Sequence, residues 1–384
     1  MFPLFWRALC AHAWLRRLCA ALLLSSAGNG LSHIVLYAEL LQRQAPPASL
    51  ALGFVLSSAP GWLGSLLGEH ALRRGDCRHV LILGELAGLA GLGLLWHALA
   101  QPGTQWLQLG TACTALGGGM ALPALAHYGK ARLSTAELPA AALLDTLAFS
   151  CHVLLGVTLG VLLQPRLGSA PLLLLDAASF IGAIGLLLTL PALAAGKRQP
   201  PVQPLPRTLP ARQRRALAIL PALGAVGAPA MALLPALLPA AHATSLLPLL
   251  LARSLGQLCG PLLVPQHRLG HPNQALMLAC LAGFSTCYLA VPWQPWPALA
   301  WALVFIAHLL SNVVFSLGWH GLLLAFDAQH AAAASARSYR AQVLVAASTS
   351  LLAGWLAGHA GAAAALLACS LAGWLLAARL TRQA

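Results

Sequence analysis

Apolar residues run through this 384-residue chain in long blocks, each bounded by proline, glycine or charged positions. A bilayer core about 30 Å thick takes roughly 20 helical residues per crossing, so runs of that length read as membrane spans. Twelve such runs are found, at roughly 18–41, 48–68, 79–100, 106–128, 140–163, 170–195, 216–240, 243–264, 275–293, 297–325, 342–360 and 363–379. Only "GHAGAAA" separates the last two. Runs this continuous exclude the short alternating strands of a β-barrel, and backbone groups in lipid must be satisfied within each segment. The pattern therefore predicts an all-α membrane protein with twelve transmembrane helices.

Composition agrees, with 59% apolar and 8% charged residues and a mean hydropathy of +0.78. In a soluble protein the net charge of +14 would suggest nucleic acid. Here topology accounts for it. With the N-terminus placed in the cytoplasm, all but three of the 22 Lys and Arg residues fall on that side, as the positive-inside rule requires. Arg43 and Arg166 lie outside, and Arg253 lies within span 8. The assignment puts both termini in the cytoplasm and removes nucleic acid as a partner. Arg7, Arg16 and Arg17 ahead of "LCAALLLSSAGNG" imitate a signal peptide, but the apolar run continues to Leu41 and is read as the first span. The nine cysteines include no C-x-x-C pair and read as small packing residues.

The longest polar segment, Gly196 to Arg215, is rich in proline and arginine and reads as a linker. It divides the chain into an N-terminal six-helix bundle (1–195), a cytoplasmic linker (196–215) and a C-terminal six-helix bundle (216–384). Gly64/Gly68 recur as Gly256/Gly260, and Gly156/Gly160 as Gly354/Gly358, both at nearly half the chain length. Gly-x3-Gly lets helices approach closely, and two matches suggest duplicated halves.

The loop between spans 2 and 3 resembles the signature of the major facilitator superfamily. Gly68, Glu69, Arg73, Gly75 and Arg78 keep its glycines and basic residues, and Leu72 stands where the family has an acid. The resemblance makes this the cytoplasmic gating loop, with Glu69, almost one turn earlier, as the substitute acid. "GGGMALPAL" around Pro123, "ELPAAALLDTLAF" and "LLLLDAASFIGA" resemble the branch of bacterial exporters that includes the enterobactin exporter. Span 5 carries Gly156-Val157-Thr158-Leu159-Gly160 without the Gly-Pro common in proton-driven drug antiporters. The resemblance implies two pseudo-symmetric six-helix bundles, a monomer in the bacterial inner membrane, and a central cavity lined by spans 1, 4, 7 and 10.

Polar residues inside a span are costly and read first as functional. Asn29, His33 and Tyr37 share one face of span 1, and His308, Asn312 and Ser316 repeat the device on span 10. In the resembled fold the two stripes would face each other across the cavity, with Thr111 and Thr114 adding hydroxyls from span 4. The alternative is interhelical hydrogen bonding, worth roughly 0.6 kcal/mol per contact. Two readings stand for Glu39 at the outer end of span 1: a proton carrier, or a solvated residue at the mouth. Arg253 either binds an anionic group of the cargo or pairs with a carboxylate such as Glu39. Glu85 and Asp145 are expected to pair with loop arginines such as Arg73 or Arg78, and Asp176 to serve a structural bond in span 6. His267 and His271 share a loop with Arg268 and Pro272, so a metal role is set aside. No G-x4-G-K-[ST] phosphate loop occurs, and neither a cofactor nor ATP drive is expected. The sequence thus points to proton-coupled export of a small organic molecule across a lipid bilayer by alternating access. Uptake of a metabolite, or a transporter-like scaffold or sensor, are the rivals.

Overall fold

The structure is a computed structural model that describes residues 2–192, 202–237, 246–264, 274–294 and 296–382. Lys197, Arg198, His267, Arg268 and His271 lie outside the described residues. The helices are α1 (Phe2–Ala11), α2 (Ala13–Gln42), α3 (Pro47–Leu56), α4 (Gly61–Leu72), α5 (Cys77–Leu99), α6 (Gln105–Arg132), α7 (Pro139–Cys151), α8 (Thr158–Leu167) and α9 (Ser169–Leu188). After the linker come α10 (Ala211–Leu237), α11 (Leu246–Cys259), α12 (Gln274–Ala290), α13 (Pro297–Ala325), α14 (Ala331–Ala360) and α15 (Ala362–Arg382). Among the described residues ten helical stretches are long and apolar enough to cross a membrane. Shorter pieces supply spans 2 and 8, and α1 is a short helix ahead of span 1, packed through Phe5 and Ala8.

Three elements differ from the pattern read along the chain. Span 2 is broken at 57–60 into α3 and α4. Pro60 lacks a backbone N–H and biases the residue before it away from helix, which a hydropathy run cannot register. Span 5 is α7 and α8 joined by a π-helical stretch, His152–Val157. Span 11 begins at Ala331, eleven positions before the apolar run, because "AAAASARSYRAQ" is rich in good helix formers although not oily. Arg337 and Arg340, counted as loop residues, are therefore helical. Likewise α10 starts at Ala211, inside the proposed linker. Between α14 and α15, Gly361 (φ 82°) makes the turn, a backbone setting that favours glycine.

The glycine repeats separate on inspection of their packing. Gly64 and Gly68 of α4 lie against the backbone of α6 at Leu116 and Met120, and Gly256 and Gly260 lie against α13 at Phe305, Leu309 and Asn312. Span 2 on span 4 is thus matched by span 8 on span 10. The second repeat is not matched. Gly156 packs on Ala27 and Gly30 of α2, whereas a side chain at Gly354 or Gly358 would meet nothing within 4 Å.

The two halves meet through α11 on α7 and the π-helical stretch, α13 on α7, and α14 on α4 and α6. At the end that carries the 2–3 loop, these contacts become polar. Glu69 accepts from Arg340 at 3.1 Å across the boundary and from Arg73 at 2.7 Å. His127 Nδ1 lies 2.6 Å from the carbonyl of Ala328, and Gln203 N–H donates to Gln329 O at 2.9 Å. Leu72, at the position of the family's acid, is buried in the core. Arg78 bonds the carbonyls of Leu188 and Leu190 instead of bridging the halves. Arg17 and Arg132 reach Thr189 and Pro191, so three cations cap the carbonyl end of α9.

Candidate transport cavity

Both halves line one cavity of about 750 Å3. From the N-terminal half it takes Asn29 and His33 of α2, Ser57 and Ser58 at the break in span 2, Thr111 and Thr114 of α6, and Asp145, Phe149 and His152 of span 5. The C-terminal half adds Met231 of α10, Arg253 and Gln257 of α11, Phe284 of α12, His308, Asn312, Phe315 and Trp319 of α13, and Tyr339 and Gln342 of α14. The cavity runs from the break in span 2 toward Trp319 and Ser335, and the Glu69–Arg340 contact lies at the polar end of the same interface.

Each residue singled out in the sequence now has a place. Asn29, His33, Thr111, Thr114, His308 and Asn312 line the cavity; Tyr37 and Ser316 are not among its walls. Tyr37 packs edge-on against His33 at 5.1 Å between ring centres. Ser316 is fully buried and its hydroxyl has no hydrogen-bond partner. Several of the lining groups also bond protein. Thr111 and Thr114 donate to the carbonyls of Leu107 and Gly110 one turn back. His308 Nε2 meets the Tyr288 hydroxyl at 2.7 Å, while its Nδ1 has no partner. Thr146 donates to Asn312 Oδ1 at 3.2 Å, a hydrogen bond from one half to the other.

The charged candidates are redistributed. Glu39 and Arg253 are not paired. Glu39 bonds Arg43 at 3.1 Å and accepts from Ser169 at 2.5 Å, tying α2 to the start of α9. Arg43 also donates to Gly103 O and Ala98 O, so the pair holds the outer ends of three spans together. Glu85 accepts from Ser25 at 3.1 Å, and Asp145 faces the cavity; neither pairs with Arg73 or Arg78. Asp176 is fully buried and accepts from Ser179. Arg253 sits over the Phe149 ring at 5.3 Å, and its Nε is buried without a partner.

Pattern reading passed over His152, Gln257, Tyr339 and Gln342. His152 stands at the start of the π-helical stretch and lies 5.6 Å from His33, ring to ring. A π turn shifts the face that follows it and often marks a functional site. No spacing rule in the sequence signals it. Among the described residues no three His, Cys, Asp or Glu side chains gather to hold a metal ion.

No family model matches the chain. One curated relative, an uncharacterised 29.9 kDa protein from Pseudescherichia vulneris, is 42% identical over 62 residues. That match covers 16% of this chain and 23% of the relative. Solved structures match over nearly the whole length. A bacterial homologue of the iron transporter ferroportin, in an outward-facing state, gives a TM-score of 0.65 at 14% identity over 97% of this chain and 100% of its own. The Escherichia coli fucose:proton symporter gives 0.69 at 14% identity, covering 97% and 99%. A human organic anion transporter gives 0.70 at 14% identity, covering 94% and 99%. At this identity the likeness establishes the fold, that of the major facilitator transporters: twelve spans in two pseudo-symmetric bundles of six.

Proposed function

We propose that this chain is a secondary active transporter of the major facilitator superfamily, in its exporter branch, moving a small organic molecule by alternating access. The observation that carries the reading is a cavity built from both halves and closed at one end by bonds between them. Rocking the halves about such a site exposes it to each face of the membrane in turn. Under the positive-inside rule the basic end is proposed to face the cytoplasm, with both termini there; a monomer in the inner membrane of a bacterium is proposed on the family resemblance alone. Export is proposed on the resemblance of the motifs in spans 4 to 6 to the exporter branch.

Proton coupling is proposed through Asp145. Among the described residues of the cavity walls it is the one carboxylate, whereas Glu39 is held by Arg43 and Ser169. A carboxyl that binds a proton in one state of the cavity and releases it in the other links solute movement to the gradient. The scaffold or sensor alternative rests on the missing loop acid; the pairing of Glu69 with Arg73 and Arg340 favours a working gate instead.

Spin labels placed on α4 and α14 at the basic end test the mechanism. Two distance populations in proteoliposomes are expected, and a single fixed distance under all gradients would remove alternating access. Solute exchange by Asp145→Asn protein is expected to keep counterflow and lose its response to a pH gradient. A wild-type pH response in that variant would move coupling elsewhere.

A further inference from the structure

The geometry points to a small organic anion as the occupant of this cavity, its carboxylate, sulfonate or phosphate group held by Arg253; this deepens the transport reading and rests on it. Among the described residues Arg253 is the only Lys or Arg in the cavity walls. No carboxylate lies within 4.0 Å of it among the described residues, and its Nε is buried with no hydrogen bond. A guanidinium carries five N–H donors in one plane and accepts nothing. The Phe149 ring, supplied by the opposite half, sits 5.3 Å from its centre. A cation–π contact orients the group through its face and leaves the in-plane donors free for a bidentate acid.

An unpaired arginine in the middle of a span is costly, and a bound anion offsets that cost where a neutral or cationic solute does not. Asp145 does not fill this role. It lies four residues before Phe149, a displacement of about 6 Å along α7, and forms no ion pair with Arg253. A cationic occupant would leave Arg253 uncompensated and set a like charge beside it. Phe284, Phe315, Trp319 and Met231 give part of the wall an apolar and aromatic surface, which suits an anion that carries an apolar or aromatic body. Gln257, one turn along α11 from Arg253, and His152 of the opposite half line the same cavity and offer further polar groups.

The test uses three solutes of one skeleton: phenylacetate, phenylacetamide and phenethylamine. Equilibrium dialysis of the purified full-length protein is expected to show phenylacetate binding at least about tenfold tighter than the other two, the size of one charge-assisted hydrogen-bonded contact. In Arg253→Gln that advantage disappears while amide binding stays the same; Arg253→Lys keeps part of it. Phe149→Leu, which leaves the charge in place, lowers phenylacetate affinity severalfold and serves if Arg253→Gln fails to fold. Equal binding of the three, preference for the amine, no saturable binding at millimolar concentration, or an unchanged phenylacetate affinity in Arg253→Gln would each overturn the anion assignment. Counterflow of the same solutes in proteoliposomes separates the two layers of argument. Binding of phenylacetate without flux of any solute defeats transport and leaves the anion site standing; flux of the amide or amine that ignores Arg253 does the reverse.

Discussion

Glu69 and Arg253 are both charges held among packed helices, and their surroundings are opposite. Glu69 has a side chain 10% exposed, with one arginine from its own helix turn and one from across the boundary. Arg253 has an aromatic ring and, among the described residues, no anion. A buried charge with its partners in place fixes a conformation, because breaking the contact strands all of them. A charge whose partner is missing from the protein is set up for something that arrives. Under the anion proposal the closed end and the cavity differ in who completes the electrostatics: the protein in one, the solute in the other.

Glu69→Gln should show the larger side of this contrast. It strands Arg340, 17% exposed, and the half-exposed Arg73, and is expected to weaken the closed end by roughly 2 kcal/mol, about thirtyfold in the conformational ratio. Cysteine labelling of the α4–α14 junction should rise accordingly; unchanged labelling would mean that the bridge does not hold the end shut. Arg253→Met is the counterpart with the opposite sign. Removing a lone cation should leave the stability of the empty protein unchanged or raise it by an amount on the order of 1–2 kcal/mol, read as an equal or higher melting temperature. A large loss of stability would show that the guanidinium already has a partner.

Smaller effects sharpen the boundary between the two regions. Thr146→Val removes the hydrogen bond to Asn312 and should favour separation of the halves by about 1 kcal/mol, visible as a shift in spin-label distances. Glu39→Gln is expected to lower stability by less than about 1 kcal/mol, since Arg43 keeps two carbonyl acceptors. Its pH-driven flux should match wild type, and loss of that flux would return Glu39 to the coupling mechanism.

The smallest effect lies outside the membrane. Glu137 in the turn before α7 is held below the usual glutamate range by hydrogen bonds from Ser134 and His12. A depressed acid contributes stability above its ordinary pKa and loses it as pH falls through the folded-state value. Melting curves should therefore show a small acid-side loss in wild type that Glu137→Gln lacks.

Much of the site was legible because intramembrane polar residues are rare and their spacing is readable. Asn29 and His33, four apart, and His308 and Asn312, four apart, could be assigned to shared faces before any packing was known. The same logic failed at Tyr37 and Ser316, one turn further along each stripe, because a helix turns about 100° per residue and crosses its neighbours at an angle. Asp145 and Glu85 were misassigned for another reason. Position along a span told how near they lie to the basic end, and nothing told which way they face.

The sequence by itself determined the lipid-crossing helices, the sorting of basic residues to one end, and the presence of an arginine too deep to be a loop residue. These follow from chain-local quantities: run length, charge and the expense of a polar group in hydrocarbon. Tertiary structure alone decided that Glu69 finds Arg340, 271 positions away, that a π-helical stretch brings His152 to His33, and that Arg253 meets Phe149 and no acid. In a membrane the lipid-facing and protein-facing sides of a helix are both apolar, so hydrophobic pattern cannot say which face meets which neighbour. Partnership among the few polar groups is fixed only when the helices pack.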